Sequence, residues 1–248
     1  MNVRNFLKEL TKNTQFEPVH MGRYIRRMYF WREVSKLPVQ SFKKVLDAGC
    51  SSGQYSIEFA QRFPQIEVYG VDIRAPRPNG LIPLNCRLGQ GNLLNLKESL
   101  QYDFIWCIDV LEHIPDNEII IRNLTEALLY GGFLYLHIPY DRPGKRIFPE
   151  KWFLRFNEWA EKEHLGKQRP LNEWATIMRE AGLKVISAEW TFGFWGELTW
   201  EVDRLTDDYP IMKTILSPVL RFMANLTLNQ SGSEKRGNVL VIGQKYKQ

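Results

Sequence analysis

Residues 44–54 read Lys44-Val45-Leu46-Asp47-Ala48-Gly49-Cys50-Ser51-Ser52-Gly53-Gln54, an apolar run that ends in an acid and leads into a glycine-containing turn. The run predicts a buried strand, and the turn predicts the change from strand to helix. Glycine has no Cβ, so the backbone at Gly49 and Gly53 can turn sharply and approach a ligand closely. The stretch therefore predicts either an ordinary tight turn or one that binds a nucleoside cofactor, and later segments decide between the two.

The spacing within this turn distinguishes two kinds of nucleotide site. Dinucleotide-binding folds use Gly-x-Gly-x-x-Gly, which places a pyrophosphate at a helix N-terminus. Here the order is Asp-x-Gly-x-Ser-x-Gly, so a carboxylate precedes the first glycine. That carboxylate, Asp47, would repel a pyrophosphate and suit a cationic sulfonium amino acid. The spacing therefore disfavours a nicotinamide-dependent oxidoreductase.

Further segments follow the turn in a regular order. A strand pattern over 66–73 ends in Asp72, close to the offset of about 20 residues at which a second-strand carboxylate accepts hydrogen bonds from ribose hydroxyls. The later segments are a loop after a third strand (91–94), a fourth strand and turn (102–116), a helix (117–130) closed by Gly131-Gly132, and a fifth strand (133–139). This order predicts an open α/β sheet.

Together these segments resemble the class I S-adenosylmethionine-dependent methyltransferases. The resemblance covers roughly residues 43–191 and a last strand over 237–243. It implies an α/β fold, a Rossmann-like doubly wound sheet of seven strands with an antiparallel last strand, in three α/β/α layers. It also implies S-adenosylmethionine as the cofactor.

The resemblance also assigns cofactor-binding positions. Asp72 would accept hydrogen bonds from the ribose, and Asn92 would meet the adenine amino group. The expected cofactor-binding residues are Asp47, Gly49, Ser51, Gly53, Asp72, Ile73, Asn92, Leu93, Asp109 and Val110. The family usually carries a glycine where Ser51 stands, so we expect the backbone φ at Ser51 to be negative.

The rest of the chain predicts additions around this sheet. We expect residues 1–42 to form a basic helical cap and residues 43–248 to form the methyltransferase domain. Other expected features are insertions at about 141–168 and 192–236, a helix over 170–182 and a sixth strand over 183–191.

Two stretches near the C-terminus are candidates for enclosing the molecule that accepts the methyl group. Residues 209–228 are apolar and interrupted by Pro218, which predicts a pair of amphipathic lid helices or, alternatively, an interfacial segment. An aromatic cluster precedes them, and it either packs as core or walls an acceptor cavity: Trp190, Phe192, Phe194, Trp195 and Trp200.

The composition is that of a soluble globular protein, with 44% hydrophobic and 25% charged residues among 248. The sequence has no apolar run long enough to cross a membrane, and its first residues lack the apolar core of a secretion signal. Its three cysteines favour buried or loop thiols over a disulfide framework or a zinc site. We therefore expect a cytoplasmic protein, and the composition gives no indication of its oligomeric state.

Positive charge is concentrated at the N-terminus. Residues 1–44 contain ten basic and three acidic residues, whereas the whole chain has a net charge of +5. Such a segment is typical of a solvated helix face, and it also suits an anionic membrane surface or a phosphorylated lipid-linked substrate. Nucleic acid is disfavoured, because the fourth strand does not end in the [DNS]-P-P-[YFW] motif of enzymes that methylate nucleobase amino groups.

Three of the four histidines are candidates for the site. His113 follows the fourth strand at the edge where ligands bind in open α/β sheets, and an imidazole can take a proton from a hydroxyl near neutral pH. We therefore predict His113 as the catalytic base, with helix packing as the alternative. His137 lies on a predicted buried strand and favours a core or cavity-wall role, and His164 either lines the cavity or is solvated.

A metal site is an alternative for the same turn. Ubiquinone-biosynthesis O-methyltransferases resemble this segment, and the resemblance implies a divalent cation held by Asp109, Glu112 and His113. The simpler interpretation, which we adopt, is that Asp109 and Val110 border the cofactor while Glu112 is a carboxylate at a helix start. We therefore assign no metal ligands.

The sequence as a whole predicts methyl transfer from S-adenosylmethionine to a small-molecule, lipid-linked or sugar-linked acceptor, with O-methylation by in-line displacement. Two alternatives stay open. One is a catalytically inactive S-adenosylmethionine-binding protein, and the other, more weakly supported, is a nicotinamide-dependent oxidoreductase.

Overall fold

The computed structural model describes residues 20–142, 144–230 and 232–246. The strands are β1 (Lys44–Ala48), β2 (Glu67–Asp72), β3 (Cys86–Gln90), β4 (Tyr102–Ile108), β5 (Leu128–Ile138), β6 (Leu183–Phe192) and β7 (Gly237–Lys245). The helices are α1 (Met21–Val34), α2 (Gln54–Arg62), α3 (Asn117–Ala127), α4 (Leu154–Glu163), α5 (Leu171–Glu180), α6 (Gly193–Leu205) and α7 (Pro210–Leu226). Short 3-10 turns include Leu93–Asn95 and Leu111–His113.

The strands form one sheet in the order β3-β2-β1-β4-β5-β7-β6. The first five strands are parallel to one another, and β7 runs antiparallel to both β5 and β6. This arrangement confirms the predicted fold, including the antiparallel last strand. The strand order reverses between β1 and β4, and open α/β sheets bind their ligands at such a switch point.

Alternate residues of the central strands point to two separate cores, one on each face of the sheet. Along β4, Phe104 and Trp106 pack with α1, α2 and α6, whereas Ile105 and Cys107 pack with α3 and α5. This alternation is the period of a strand buried on both faces, and it produces the three predicted layers.

Helix α1 is held to the sheet by one aromatic side chain. Phe30 is fully buried, and its ring contacts a set of six aromatic rings: Trp31, Tyr55, Phe59, Phe104, Trp106 and Tyr135. Edge-to-face and stacked pairs add to the burial of apolar area. The position of α1 is therefore determined by the core.

The predicted N-terminal cap coincides only in part with the described residues. Residues 1–19, with Arg4, Lys8 and Lys12, lie outside the described residues, and the domain boundary at residue 42 stays a prediction. Three of the four arginines of α1 have acidic partners: Arg26 pairs with Asp109, Arg27 with Glu58, and Arg32 with Glu33 and Glu189. Much of the positive charge of α1 is thus compensated by the rest of the domain.

Two predicted boundaries are wrong. The helix predicted to reach Tyr130 ends at Ala127, because Leu128 already pairs with Tyr102 on β4. The two glycines that were expected to close this helix instead lie within β5, at an irregularity of the pairing.

The predicted pair of helices around Pro218 is a single helix, α7. Pro218 removes one main-chain hydrogen bond, but the neighbouring Ser217 and Leu220 are buried against the domain. Tertiary packing therefore keeps the helix continuous through the proline.

Helix α4 differs from the other long helices in its packing. None of its ten residues is fully buried, although Phe156 packs against the edge of the core. No helix among the described residues is both long enough and apolar enough to cross a membrane.

The aromatic contacts of Phe30 predict its contribution to stability. We expect Phe30→Ala to lower the free energy of unfolding by about 3–5 kcal/mol, because it leaves a cavity among six rings. Phe222→Ala is the matched control, since Phe222 is 67% exposed on α7 and the same truncation there should change stability by about 0.5 kcal/mol or less. Urea unfolding measures both variants, and equal losses would contradict the assigned role of Phe30.

Candidate functional site

A cavity of about 420 Å³ lies at the carboxyl ends of β1, β4 and β5. One wall is the turn after β1, from Gly49 to Ser52, with Gln54 and Tyr55 at the start of α2. The cover comes from α1, from the segment 141–164 and from α6. The cavity thus occupies the switch point of the sheet and is closed by the elements added around it.

The turn after β1 is strongly bent. Gly49, Ser51 and Gly53 all have positive φ, at 85°, 51° and 76°. A Cβ at Gly49 would overlap the side chain of Val110, and one at Gly53 would overlap Leu88, so both glycines are required by packing as well as by backbone conformation. Val110 therefore acts as the packing partner of the turn.

The expectation of a negative φ at Ser51 is wrong. The Ser51 N–H donates a 2.8 Å hydrogen bond to Asp72 Oδ2, and this contact offsets the left-handed conformation that a serine adopts only at a cost. Asp72 also accepts a 3.0 Å hydrogen bond from the Arg74 N–H. The carboxylate at the end of β2 therefore supports the turn after β1.

Apart from Gly53 and Val110, the predicted cofactor residues occupy two places. Asp47, Gly49, Ser51 and Asp109 line the cavity. Four more lie at or just beyond the ends of the neighbouring strands β2 and β3: Asp72, Ile73, Asn92 and Leu93. Among these, Asn92 Oδ1 accepts from the Leu94 N–H at 3.0 Å and Leu93 is buried, so both have a local structural role. The assignment of all ten residues to the cofactor stays a prediction.

Asp47 is a buried carboxyl group. Its Oδ2 accepts a 2.6 Å hydrogen bond from the Ser56 hydroxyl. Burial raises the pKa of Asp47 to about 7, because the carboxylate loses its hydration and the Ser56 hydrogen bond compensates only in part. Near neutral pH this group therefore accommodates either a proton or a neighbouring positive charge.

Asp109 joins α1 to the end of β4. Its Oδ2 lies 2.7 Å from Arg26 Nε, and its backbone has a positive φ of 54°. Burial alone would raise the pKa of Asp109, but the adjacent Arg26 guanidinium, assisted by His137, outweighs it and lowers the pKa. Asp109 is therefore held as a carboxylate inside the cavity.

His137 is fully buried beside this pair, as predicted for a core or cavity-wall residue. The Thr191 hydroxyl donates to the Asn238 carbonyl, so it accepts from His137 Nε2 at 3.0 Å. His137 Nδ1 lies 3.8 Å from Asp109 Oδ1. Burial lowers the pKa of His137, although Asp109 opposes this effect.

His113 also lines the cavity. Its Nδ1 is 2.8 Å from the Glu163 carbonyl oxygen, which can only accept, so Nδ1 carries the proton. In the neutral ring Nε2 then has a lone pair, and this atom lies 3.9 Å from Glu112 Oε1. A neutral His113 therefore has its free lone pair, on Nε2, at the cavity wall.

Glu112 is not the helix-start carboxylate that the sequence suggests. It lies in the 3-10 turn Leu111–His113, whereas α3 begins only at Asn117. Its side chain is 2% exposed, and burial, together with the charge of Asp109, raises its pKa well above the ordinary value. The charged form of Glu112 is therefore disfavoured unless a cation approaches it.

The group of side chains suited to a cation differs from the predicted one. Glu112, His113 and His164 place ligand atoms within 4.8 Å of one another, whereas Asp109 is engaged by Arg26. His164 comes from the segment after α4 and lies 3.7 Å from Asp141, and burial lowers its pKa. The sequence left open whether His164 lines the cavity, and the structure places it there.

The far end of the cavity combines cations with aromatic faces. The buried Lys145 Nζ donates to Tyr140 O at 2.9 Å and to Asn238 Oδ1 at 2.7 Å. Arg146 lies 3.1 Å from Glu197 Oε1 and 4.5 Å from the centre of the Trp200 ring. Of the predicted aromatic cluster, Phe192 and Trp200 line the cavity, and Trp190, Phe194 and Trp195 do not.

Sequence reasoning missed several lining residues. Arg26, Lys145, Arg146 and Glu197 come from segments that are remote from the motifs, and no local spacing marks them. One indication was available for Arg26, since an arginine on the buried side of a helix requires an acidic partner.

Comparison with known proteins identifies relatives of this chain. Residues 8–188 match a family described as a methyltransferase domain. The chain is 33% identical to trans-aconitate 2-methyltransferase of Deinococcus radiodurans over 116 residues, which cover 45% of this chain and 44% of that protein. It is 27% identical to the ubiquinone biosynthesis O-methyltransferase of Acinetobacter baylyi over 192 residues, which cover 70% of this chain and 76% of that protein.

Two solved structures share the fold. Phosphoethanolamine N-methyltransferase 2 of Haemonchus contortus, in complex with S-adenosyl-L-methionine, has a TM-score of 0.58 at 14% identity and covers 100% of this chain and 60% of its own. The geranyl diphosphate C-methyltransferase of Streptomyces coelicolor has a TM-score of 0.54 at 16% identity, covering 82% and 71%. At these identities, the likeness describes the fold alone.

The buried Asp47 predicts a specific pH dependence of stability. Its pKa is about 7 in the folded chain against 3.8 for an unperturbed aspartic acid, so between these values the unfolded chain loses the proton and the folded chain keeps it. The unfolded state then binds fewer protons, and stability falls as pH rises from about 4 to 7. Urea unfolding of Asp47→Asn should show a weaker decline than the parent chain over this interval. Identical pH profiles would contradict the assigned pKa.

Proposed function

This chain belongs to the class I S-adenosylmethionine-dependent methyltransferase family, and on this premise we propose that it transfers a methyl group to a hydroxyl oxygen of an acceptor bound in the cavity. The observation that supports this proposal best is His113 Nε2, which has an available lone pair at the cavity wall. We further propose a small-molecule acceptor, with lipid-linked and sugar-linked compounds included in this class. We also propose a cytoplasmic location, because Cys50, Cys86 and Cys107 are buried free thiols and thiols stay reduced in that compartment.

The residues at the cavity fit the family's cofactor. S-adenosylmethionine, when bound, supplies an electrophilic methyl group on a cationic sulfonium. Three buried oxygen atoms at this place have no hydrogen-bond partner among the described residues: Tyr55 Oη, Asp109 Oδ1 and Glu112 Oε2. Oxygen atoms left unpaired in a buried site favour a bound group with donors or positive charge. Asp72 retains further lone pairs for hydroxyl groups after accepting from Ser51 and Arg74.

The chain's own residues would then act mainly by positioning and by proton transfer. Arg26 closes the cavity above β4 and keeps Asp109 ionised. The Glu163 carbonyl fixes the His113 tautomer, so Nε2 can take the proton of an acceptor hydroxyl as the oxygen attacks. The cover of α1 and α4 excludes water from the reacting atoms.

A cation-assisted variant is the second candidate, and the cluster of Glu112, His113 and His164 favours it. Carboxylate and imidazole ligands suit several divalent ions, which polarise a bound hydroxyl. In this variant His113 would hold the ion instead of accepting the proton. An inactive protein that only binds the cofactor is the remaining alternative, and turnover itself separates it from both.

Asp72 tests the cofactor site. We expect Asp72→Asn to weaken S-adenosylmethionine binding by roughly 10–100-fold, because charge-assisted hydrogen bonds contribute about 1.5–3 kcal/mol each. Calorimetry measures the dissociation constant, and Asp116→Asn is the control, since Asp116 is exposed and makes no side-chain cap. An unchanged constant in a folded Asp72→Asn would remove Asp72 from the cofactor site.

His113 tests the chemistry. We expect His113→Ala to lower kcat by about 10²–10⁴-fold with cofactor affinity nearly unchanged, because a general base acts on the acceptor hydroxyl and not on the cofactor. The acceptor is first found by supplying labelled cofactor to cell extract fractions.

If the cation cluster operates, EDTA inhibits the parent enzyme and added magnesium or zinc restores its activity. Full activity of His113→Ala in EDTA would reject both roles and leave positioning alone.

A further inference from the structure

The far end of the cavity has a charged wall. Its five polar side chains, which we call the far wall, are Asp141, Lys145, Arg146, His164 and Glu197. Burial raises the pKa of Glu197, although the adjacent Lys145 and Arg146 favour its charged form. Two carboxyl groups thus face two permanent cations, and their charges compensate one another within the wall. A charged ligand would disturb this balance, so the far wall suits a neutral polar ligand.

The contacts of one carboxylate in the far wall are too long to be hydrogen bonds. Asp141 Oδ1 lies 3.7 Å from Lys145 Nζ and 4.0 Å from Arg146 Nη2. Asp141 Oδ2 lies 3.7 Å from His164 Nδ1. Hydrogen bonds between such atoms are about 2.7–3.2 Å long, and a wider polar gap at a cavity is the place for a bridging oxygen. Each oxygen of Asp141 therefore borders a gap of its own.

A hydroxyl group fits such a gap, because it donates to the carboxylate and accepts from the opposite group at the same time. Two hydroxyls on adjacent carbons would together occupy both gaps, one at each oxygen of Asp141. Lys145 uses two of its three N–H groups on protein oxygen atoms, at 2.9 and 2.7 Å, which leaves one for a ligand. Arg146 donates from Nη1 to Glu197, while its Nη2 and Nε lie 4.0 Å from their acidic neighbours. The far wall thus has the hydrogen-bonding groups that a vicinal diol requires.

An aromatic face lies next to these groups. Trp159 of α4 lines the cavity and is 45% exposed. Its ring centre lies 5.3 Å from that of His164 and 6.3 Å from that of His113, and both pairs of rings are T-shaped. Arg146 lies over the Trp200 ring and not over Trp159. An aromatic ring beside hydrogen-bonding groups suits a ligand ring with C–H groups on its face and hydroxyls at its edge.

The ribose of the cofactor does not account for this site. The hydroxyl groups of the ribose are expected at Asp72, at the end of β2, and Asp72 is not among the residues that line the cavity. Asp141 follows β5, which lies three strands from β2 in the sheet. Neighbouring strands are about 4.8 Å apart, so the two carboxylates are separated by roughly 14 Å. The far wall therefore lies on the side of the cavity that is left for the acceptor.

We propose that the acceptor is a sugar, bound as a neutral ring by the far wall and by Trp159. Asp141 accepts hydrogen bonds from two adjacent hydroxyls, and the groups across the two gaps donate to them. The C–H face of the sugar packs on Trp159, which directs a further hydroxyl towards His113. The sugar site rests on the cavity alone, whereas methyl transfer to this sugar rests on the proposed function.

Saturation-transfer NMR tests the sugar site. The chain is saturated with S-adenosylhomocysteine, so that a probe cannot occupy the ribose position, and is titrated with the methyl glycosides of glucose, galactose, mannose, rhamnose and xylose. We expect at least one glycoside to bind about tenfold or more tightly than cyclohexanol, phenol and benzoate, since these three probes lack the vicinal diol.

Two variants locate the bound sugar. Asp141→Asn and Trp159→Ala should each weaken glycoside binding by about tenfold or more, because the first loses charge-assisted hydrogen bonds and the second loses the aromatic face. The matched controls are Asp208→Asn and Trp152→Ala, which change an exposed aspartate and a half-exposed tryptophan outside the cavity and should bind as the parent does.

Three results would overturn the proposal: no glycoside binding above the level of cyclohexanol, tighter binding of phenol or benzoate than of any glycoside, or glycoside binding that the site variants weaken no more than the controls do. Calorimetry with S-adenosylmethionine on the same samples separates this proposal from the proposed function. Cofactor binding in a chain that binds no glycoside would overturn the sugar site alone, whereas glycoside binding without cofactor binding would reject the proposed function and leave the sugar site.

Discussion

The insertion of Phe30 into the aromatic layer of the sheet is the contact on which the site depends. It attaches α1 to strands that are distant in sequence and fixes the height of the helix above the switch point. Arg23 and Arg26, on the same helix, consequently line the cavity, and Arg26 reaches the carboxylate at the end of β4. Core packing and the electrostatics of the cavity are therefore not independent, because one helix provides both.

The elements that follow simple periodicity were predicted well from the sequence. Strands buried on both faces are continuous apolar runs, and the turn after β1 has glycines where positive φ is needed, so β1, β2, β4 and β7 could be located within a residue or two. The errors occur where long-range contacts override a local rule. Ser51 adopts a positive φ because Asp72 accepts its N–H, and Leu128 joins β5 because Tyr102 offers it a pairing partner. Neither contact can be predicted from the local sequence, because the two partners are distant in the chain.

The charged residues of the cavity show the same limit. Glu112 looks like a helix-start acid in the sequence, but the turn buries it against Asp109 and raises its pKa. His164 and Arg146 reach the cavity from one insertion, and Glu197 from another. These residues are far apart in the sequence, so their positive and negative charges come close to one another only in the folded chain. Arg146 and Arg204 also lie over the Trp200 and Phe156 rings, so the faces that could receive a cationic ligand are already occupied by the protein's own cations.

Two of the elements that cover the cavity, α1 and α4, differ in how firmly they are held, and this difference affects how molecules enter and leave the cavity. Removing α1 would expose Phe30 and the rings around it, whereas α4 has no fully buried residue and is held largely by surface contacts. Local opening follows the less stable element. Molecules would therefore arrive and depart beneath α4 while α1 stays in place, and the residence time of a product would depend on how tightly α4 is held. Glu163, the last residue of α4, also holds the His113 ring through its carbonyl oxygen, so an opening at α4 would release that contact and link ligand exchange to proton transfer.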